Sequence, residues 1–230
     1  MMFNHDDPNT WPVFKPLIIA HDVGRSHDRS TAVIGGLTPF EPTLVGVKEC
    51  EELPQNQFGS ARASALAAVD RRYHSEAVII ADLSNDASYA DNLFETFGPR
   101  VIGLQIGRYG NGMEFERRPV KHAAMLVYQI GRNYLLEHLR AQIDTGQVRI
   151  VDTPNSRRAF HQLVRLETEM RDSGLVYRCP SGQHDDLGIS LAMLVWAAQH
   201  LHLESWVNIA NRARQPRRVR QAPSSSLGWT

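Results

Sequence analysis

Two cysteines among 230 residues, Cys50 and Cys179, are too few and too far apart for a disulfide framework or a zinc-ligand pattern. Their scarcity points to a reducing compartment. Charge of one sign is also missing: 25 Lys and Arg balance 25 Asp and Glu. No field of the whole chain therefore draws it to nucleic acid or membrane, and any such affinity must come from local clusters. No apolar run reaches the roughly 20 residues needed to span a bilayer. The opening segment MMFNHDDPNTWPVF lacks the basic-then-apolar order of a signal peptide. A soluble, cytoplasmic protein without membrane contact is the expectation. Absent too is G-x-x-x-x-G-K-[ST], the loop that cradles nucleotide phosphates in P-loop ATPases.

What is present is the composition of an ordinary globular domain, 42% hydrophobic and 22% charged. Residues 17–23, 31–36 and 43–48 alternate as three consecutive strands joined by short turns. The Ala- and Arg-rich stretch NQFGSARASALAAVDRRYHSE predicts a helix, and it runs into AVIIAD, too apolar for an edge strand and ending at Asp82. A second helix over 87–97 stops at Gly98 and Pro99, and RVIGLQIG follows as a fifth strand. A long helix over 119–144 is expected before QVRIVD, then a shorter helix over 155–168 and a hairpin turning at Ser173 and Gly174. DDLGISLAMLVWAAQHLHL reads as a closing helix that is apolar on most sides, as for one lying flat on a sheet. These elements describe an α/β domain over 16–204 with a mixed five-strand core sheet, three antiparallel strands followed by parallel ones, flanked by helices. Residues 1–15 form an extension. Residues 205–230 hold Arg212, Arg214, Arg217, Arg218 and Arg220 and read as a basic, flexible tail.

Against that frame the carboxylates acquire positions. Asp22 closes the first strand, Asp82 closes the fourth, and Asp185 with Asp186 opens the last helix. Each has an ordinary explanation: Asp82 before Leu83 and Ser84 can begin a turn, and Asp185 can cap a helix. Together they are harder to dismiss. If the first and fourth strands are neighbours, about 4.8 Å apart, both strand-end carboxylates face one point that the helix start can join. Like charges gathered there need compensation. An all-oxygen donor set suits Mg²⁺ or Mn²⁺ rather than zinc. Two such ions about 3.5 to 4 Å apart would suit in-line displacement at phosphorus.

The order AHDVGRSHDRSTAVIGG, AVIIADLSNDASYADNLFETFG, AQIDTGQVRIVD and GQHDDLGISLAMLVWAAQ, over about residues 16–202, resembles the nuclease domain of phage large terminase subunits in the ribonuclease H-like superfamily. Its most specific piece is HDDLGISLA, an acidic pair opening a helix of small and apolar residues after a short hairpin. The resemblance implies a metal-dependent endonuclease cutting double-stranded DNA during genome packaging, with Asp22, Asp82, Asp185 and Asp186 at the acidic motif positions. It also implies partners: a separate packaging ATPase, a small terminase subunit or a portal. The sequence departs from the family at DLSND, where Asn85 and Asp86 occupy a turn that often contains Gly, and in lacking a P-loop motor, as a split or excised nuclease domain or a stand-alone relative would.

Around these four, His184 could orient water or touch phosphate, and Asp28 and Asp86 fit turn positions with at most outer-shell contact to an ion. His21 precedes Asp22 in its strand, so it should face the opposite side. For DNA contact, Arg25 and Arg29 lie in the first turn. Arg108, Arg117, Arg118 and Lys121 surround a Gly-rich loop with Tyr109. Such phosphate contacts position DNA without reading sequence. A Holliday-junction resolvase or transposase-like nuclease would use the same chemistry on another substrate. Readings of another class are an actin-like ATPase or kinase, which needs a second domain and has no counterpart of the HDD helix, and a non-catalytic DNA- or partner-binding module, which needs no acidic set.

Overall fold

A computed structural model of the chain describes residues 16–24, 29–38, 42–55, 58–84, 86, 88–120, 123–171 and 174–202. The N-terminal extension, Arg25, Asp28, Asn85, Lys121, Ser173 and the basic tail lie outside them. Three strands open the fold: β1 (Ile18–Asp22), β2 (Thr31–Leu37) and β3 (Val45–Glu52), paired antiparallel in order. Helix α1 (Gly59–Arg72) then crosses to β4 (Val78–Asp82), which lies parallel to β1 on the side away from β2. Helix α2 (Tyr89–Phe97) and a short 3₁₀ turn lead to β5 (Val101–Gly107), parallel to β4. The apolar runs of β1 and β4 are buried on both faces, which is why they read as continuous rather than alternating hydrophobic stretches.

Residues 119–131 depart from expectation. The long helix predicted over 119–144 is only its second half, α3 (Arg132–Asp144). The first half belongs to a hairpin of β6 (Asn111–Val120) and β7 (Ala123–Gly131), with β7 parallel to β5 and β6 at the sheet edge. Ala, Met and Leu in AAMLVYQIG favour a helix locally, but Met125 and Val127 fill the core on one face while Tyr128 and Ile130 pack on the other. Tertiary burial of both faces overrides propensity. Pro119 is tolerated because β6 is an edge strand.

Beyond α3, the short β8 (Val148–Ile150) joins β3 in parallel at the other edge. The result is one eight-stranded mixed sheet, β6-β7-β5-β4-β1-β2-β3-β8, three strands wider than the expected five-strand core. Helix α4 (Pro154–Val164) starts with Thr153 and Ser156 capping each other reciprocally and Pro154 at its first position. It ends four residues short of the prediction, because the hairpin of β9 (Glu167–Arg171) and β10 (Gly174–Arg178) claims the following residues.

Two apolar layers cover the sheet. Helices α1 and α2 pack on Ile19, Ile79 and Val127, while α5 (Asp186–His200) lies on the face carrying Ile18, Ala20, Val78 and Ile80. Twelve consecutive residues of α5, Leu187–Ala198, are buried, matching a helix apolar all round. Because side chains alternate along a strand, Asp22 and Asp82 fall on the α5 face, in phase with Ala20 and Ile80. Helix α5 therefore begins where β1 and β4 end. Among the described residues no helix is long and apolar enough to cross a membrane.

Candidate active site

Parallel pairing brings the first two carboxylates together. His21 is in register with Ala81, so Asp22 and Asp82 are the next residues along two hydrogen-bonded strands. The first turn of α5 adds Asp185 and Asp186, and all four line one cleft of about 350 Å³ with Gly24, Ser84, Ile106, Gly107 and Arg132. A larger, mostly apolar groove of about 420 Å³ between α3, α4 and the β9–β10 hairpin has no such convergence, so the smaller cleft is the candidate site.

Each carboxylate is held differently. Asp82 Oδ1 accepts from the Ser84 hydroxyl and, at 2.8 Å, from the Ser84 amide, while the same hydroxyl accepts from the Ile106 amide at 2.6 Å. Burial raises the Asp82 pKa, and these hydrogen bonds with Arg132 only partly offset it. Asp22 is pushed well above the ordinary carboxylate range, first by desolvation and then by the charges of Asp82, Asp186 and Asp185, against the opposing pull of Arg132. Asp185 stands at the N-cap position of α5 but makes no side-chain capping bond; its Oδ2 instead accepts from Arg132 Nη2. The helix-cap explanation of Asp185 therefore fails on geometry.

A hydroxyl relay fixes the helix start against the strands. The Asp22 amide donates to Ser190 Oγ at 3.1 Å, and Thr31 Oγ1 donates to the Asp186 carbonyl at 3.1 Å. The two hydroxyl oxygens are 2.7 Å apart, so with the Thr31 proton on the carbonyl it is Ser190 that donates to Thr31. His21 faces away, as alternation requires: buried, it donates from Nδ1 to the Thr31 carbonyl at 2.8 Å and accepts at Nε2 from the Tyr89 hydroxyl at 3.2 Å.

The remaining sequence candidates divide. Asp86 is a turn residue: it accepts from the Ser88 hydroxyl and the Tyr89 amide and pairs at 2.7 Å with Arg62, whose other arm donates to the Gly24 carbonyl. Burial raises its pKa, but the Ser88 and Arg62 bonds outweigh that and leave it lowered. His184 is exposed beside the cleft. Arg108 is exposed and directly follows the cleft residue Gly107, with its guanidinium 5.5 Å from the Tyr109 ring centre. Arg29 is exposed and pairs with Glu52 at 3.1 Å. Arg117 and Arg118 lie away from the cleft end, paired with Leu126 and Met125, four and five residues along β7 from Ile130. Arg118 pairs with Glu116.

Sequence reasoning missed Arg132, Ser84, Thr31 and Ser190. Arg132 was hidden inside the overlong helix, while Ser190 carried a signal: it is the one polar side chain in the apolar run from Leu187 to Ala198.

No family model and no curated protein sequence matches the chain. Comparison of folds is decisive. The nuclease of the large terminase from thermophilic phage G20c superimposes with a TM-score of 0.54 at 18% identity, covering 80% of this chain and 81% of that one. The same nuclease with bound magnesium gives 0.54 at 20% identity over 78% and 79%. The nuclease domain of the large terminase subunit of bacterial virus Sf6 gives 0.53 at 14% identity over 86% and 93%. This chain has the large-terminase nuclease fold. The mixed α/β sheet flanked by helices that the chain shares with these nucleases agrees with the fold class expected from the sequence. At this identity the likeness carries the fold and leaves the chemistry to the residues themselves.

The side chains suit a hard divalent cation in kind: four carboxylates, all oxygen donors, around one polar cleft. Among the described residues no three His, Cys, Asp or Glu side chains are grouped closely enough to hold a metal ion as they stand. Asp185 is engaged by Arg132 and one oxygen of Asp82 by Ser84.

Proposed function

We propose that the protein is a metal-dependent endonuclease that hydrolyses phosphodiester bonds in double-stranded DNA, as in terminase-type genome packaging. The observation that carries this reading is the meeting of four carboxylates from β1, β4 and α5 in one polar cleft, with Asp22 held above its normal pKa by burial and then by the other three. A terminase nuclease fold and a magnesium-bound structure of a protein sharing it support the reading.

Asp22, Asp82, Asp185 and Asp186 would hold Mg²⁺ or Mn²⁺, two ions in the reading preferred here. Bound there, such ions supply an activated water and stabilise the leaving oxygen. The chain's own residues do the rest. Ser84 fixes the Asp82 rotamer, and the Ser190–Thr31 relay sets the height of α5 over the strand ends. Arg62 joins the Gly24 and Asp86 turns, while Arg108 and Arg29 offer cations to the DNA backbone. The partners that fit are duplex DNA and, in a packaging setting, an ATPase on another chain, a small terminase subunit or a portal.

The test is nicking and linearisation of supercoiled plasmid by the purified chain with Mg²⁺ or Mn²⁺, beside a four-way junction and ATP. Cutting of plain duplex without ATP supports the proposal. Cutting of branched DNA alone would move it to a resolvase, and metal-dependent ATP turnover to the kinase-like class.

A further inference from the structure

Arg132 occupies an unusual position for a guanidinium. It is the first residue of α3, directly after Gly131, which pairs with Gly107 of β5 at the sheet end where Asp22 and Asp82 project. Its side chain lines the carboxylate cleft and is 29% exposed, while its partner Asp185 is 14% exposed. The pair is thus partly withdrawn from water, where opposite charges interact more strongly than at an open surface. Asp185 has no competing role as a helix cap. Moreover, the described residues contain no closed carboxylate cage, although four carboxylates line one cleft.

We propose that Arg132 is a tethered cation that competes with a divalent ion for Asp185. In the ion-free protein it neutralises Asp185 and ties the start of α5 to the start of α3. When a divalent ion enters, Asp185 turns from the guanidinium to the ion. Arg132 stays on the cleft wall, freed to donate to a phosphate oxygen of the DNA, as guanidinium groups do in paired N–H contacts. The inference rests on the metal-dependent reading above and adds to it a built-in threshold: the site binds ions more weakly than its carboxylates alone would, until DNA gives Arg132 an alternative partner. Metal and DNA then reinforce each other's binding, as linkage requires.

The proposal is tested on the full chain by calorimetric titration with Mn²⁺ and Mg²⁺, first without DNA. Arg132→Gln should bind Mn²⁺ roughly five- to tenfold more tightly than wild type, the gain expected from removing one partly buried competing pair. Arg132→Lys, which keeps the charge, should bind like wild type. Adding a short duplex should tighten Mn²⁺ binding by wild type and far less by Arg132→Gln. Should Arg132→Gln not fold, nitrogen-detected NMR of the wild-type arginine side chains decides the matter, because one Nε–H signal should shift on saturation with Mg²⁺. Unchanged or weaker Mn²⁺ binding by Arg132→Gln, or no moving arginine signal, overturns the proposal while leaving the metal site intact. Failure of the wild type to bind either ion would overturn both readings at once.

Discussion

Asp22 and His21 are adjacent in β1 and respond to pH in opposite senses. The Asp22 pKa is raised in the folded protein by desolvation and by three neighbouring carboxylates. Folding therefore favours its protonated form: its contribution is fully present below the ordinary carboxylate pKa and is lost as pH rises through the folded value. His21 is the reverse. Desolvation, with a smaller push from Arg62 and against the Thr31 hydrogen bond, lowers its pKa to about 4. Its stabilising contribution is present above about pH 6.5 and is lost as pH falls toward 4, worth about 3 kcal/mol at the limit. Two outcomes are expected. Without divalent ions near pH 7, Asp22→Asn should be more stable than wild type by on the order of 1 kcal/mol, and with Mg²⁺ or Mn²⁺ added it should fail to cleave plasmid. Between pH 6.5 and 4 the same variant should lose stability more steeply than wild type, because the opposing gain from Asp22 is gone. Thermal melts across that range check both, and an Asp22→Asn protein that melts lower yet still cuts would sink the metal-site reading.

Among the elements, α5 and the β6–β7 hairpin show what was legible and why. HDDLGISLA could be read as a helix opening on two acids because its twelve-residue buried run is a local pattern, and the ends of β1 and β4 could be read because they are apolar runs stopping at Asp. That Asp22 and Asp82 stand side by side was conditional on a pairing of residues some 60 apart, which no local pattern encodes. The strand β7 was lost altogether, since AAMLVYQIG is helix-compatible until β5 and β6 flank it, and Arg132 was lost with it. One contact locks the hairpin to α5: Gly112, at φ +74°, sits where an added Cβ would lie 2.3 Å from the Trp196 ring. Gly112→Ala combines a left-handed backbone penalty with a clash against a fully buried indole, so we expect a loss of about 2 kcal/mol or more. At the other end of the helix, Ser190→Ala removes the acceptor of the Asp22 amide and should cost about 1 to 3 kcal/mol. Denaturant titrations of the two variants distinguish them further: Gly112→Ala should retain cleavage where still folded, and Ser190→Ala should lose it more steeply than stability alone predicts.

For the whole molecule, a balanced total charge means that under the proposed function DNA would be held by where the cations sit rather than by how many there are. The carboxylate cleft repels phosphates until ions fill it, so cations at its rim matter most. Arg108 immediately follows the cleft residue Gly107, whereas Arg117 pairs with Leu126, four residues along β7 from Ile130 at the cleft end, about 13 Å away at the rise of a strand. Under the proposed function, a duplex seated on the cleft would have Arg108 as the nearer of these two cations and would reach Arg117 only by following β6. Arg108→Ala should therefore weaken duplex binding in the presence of Ca²⁺ and flatten its salt dependence by about one unit of log–log slope, the signature of one lost phosphate contact. Arg117→Ala should change that slope by clearly less. Binding measured by anisotropy from 50 to 200 mM salt decides between the two geometries. An equal loss at both positions would mean that the duplex lies along the β6–β7 edge, and a loss at Arg117 alone would remove the rim of the cleft from the DNA path.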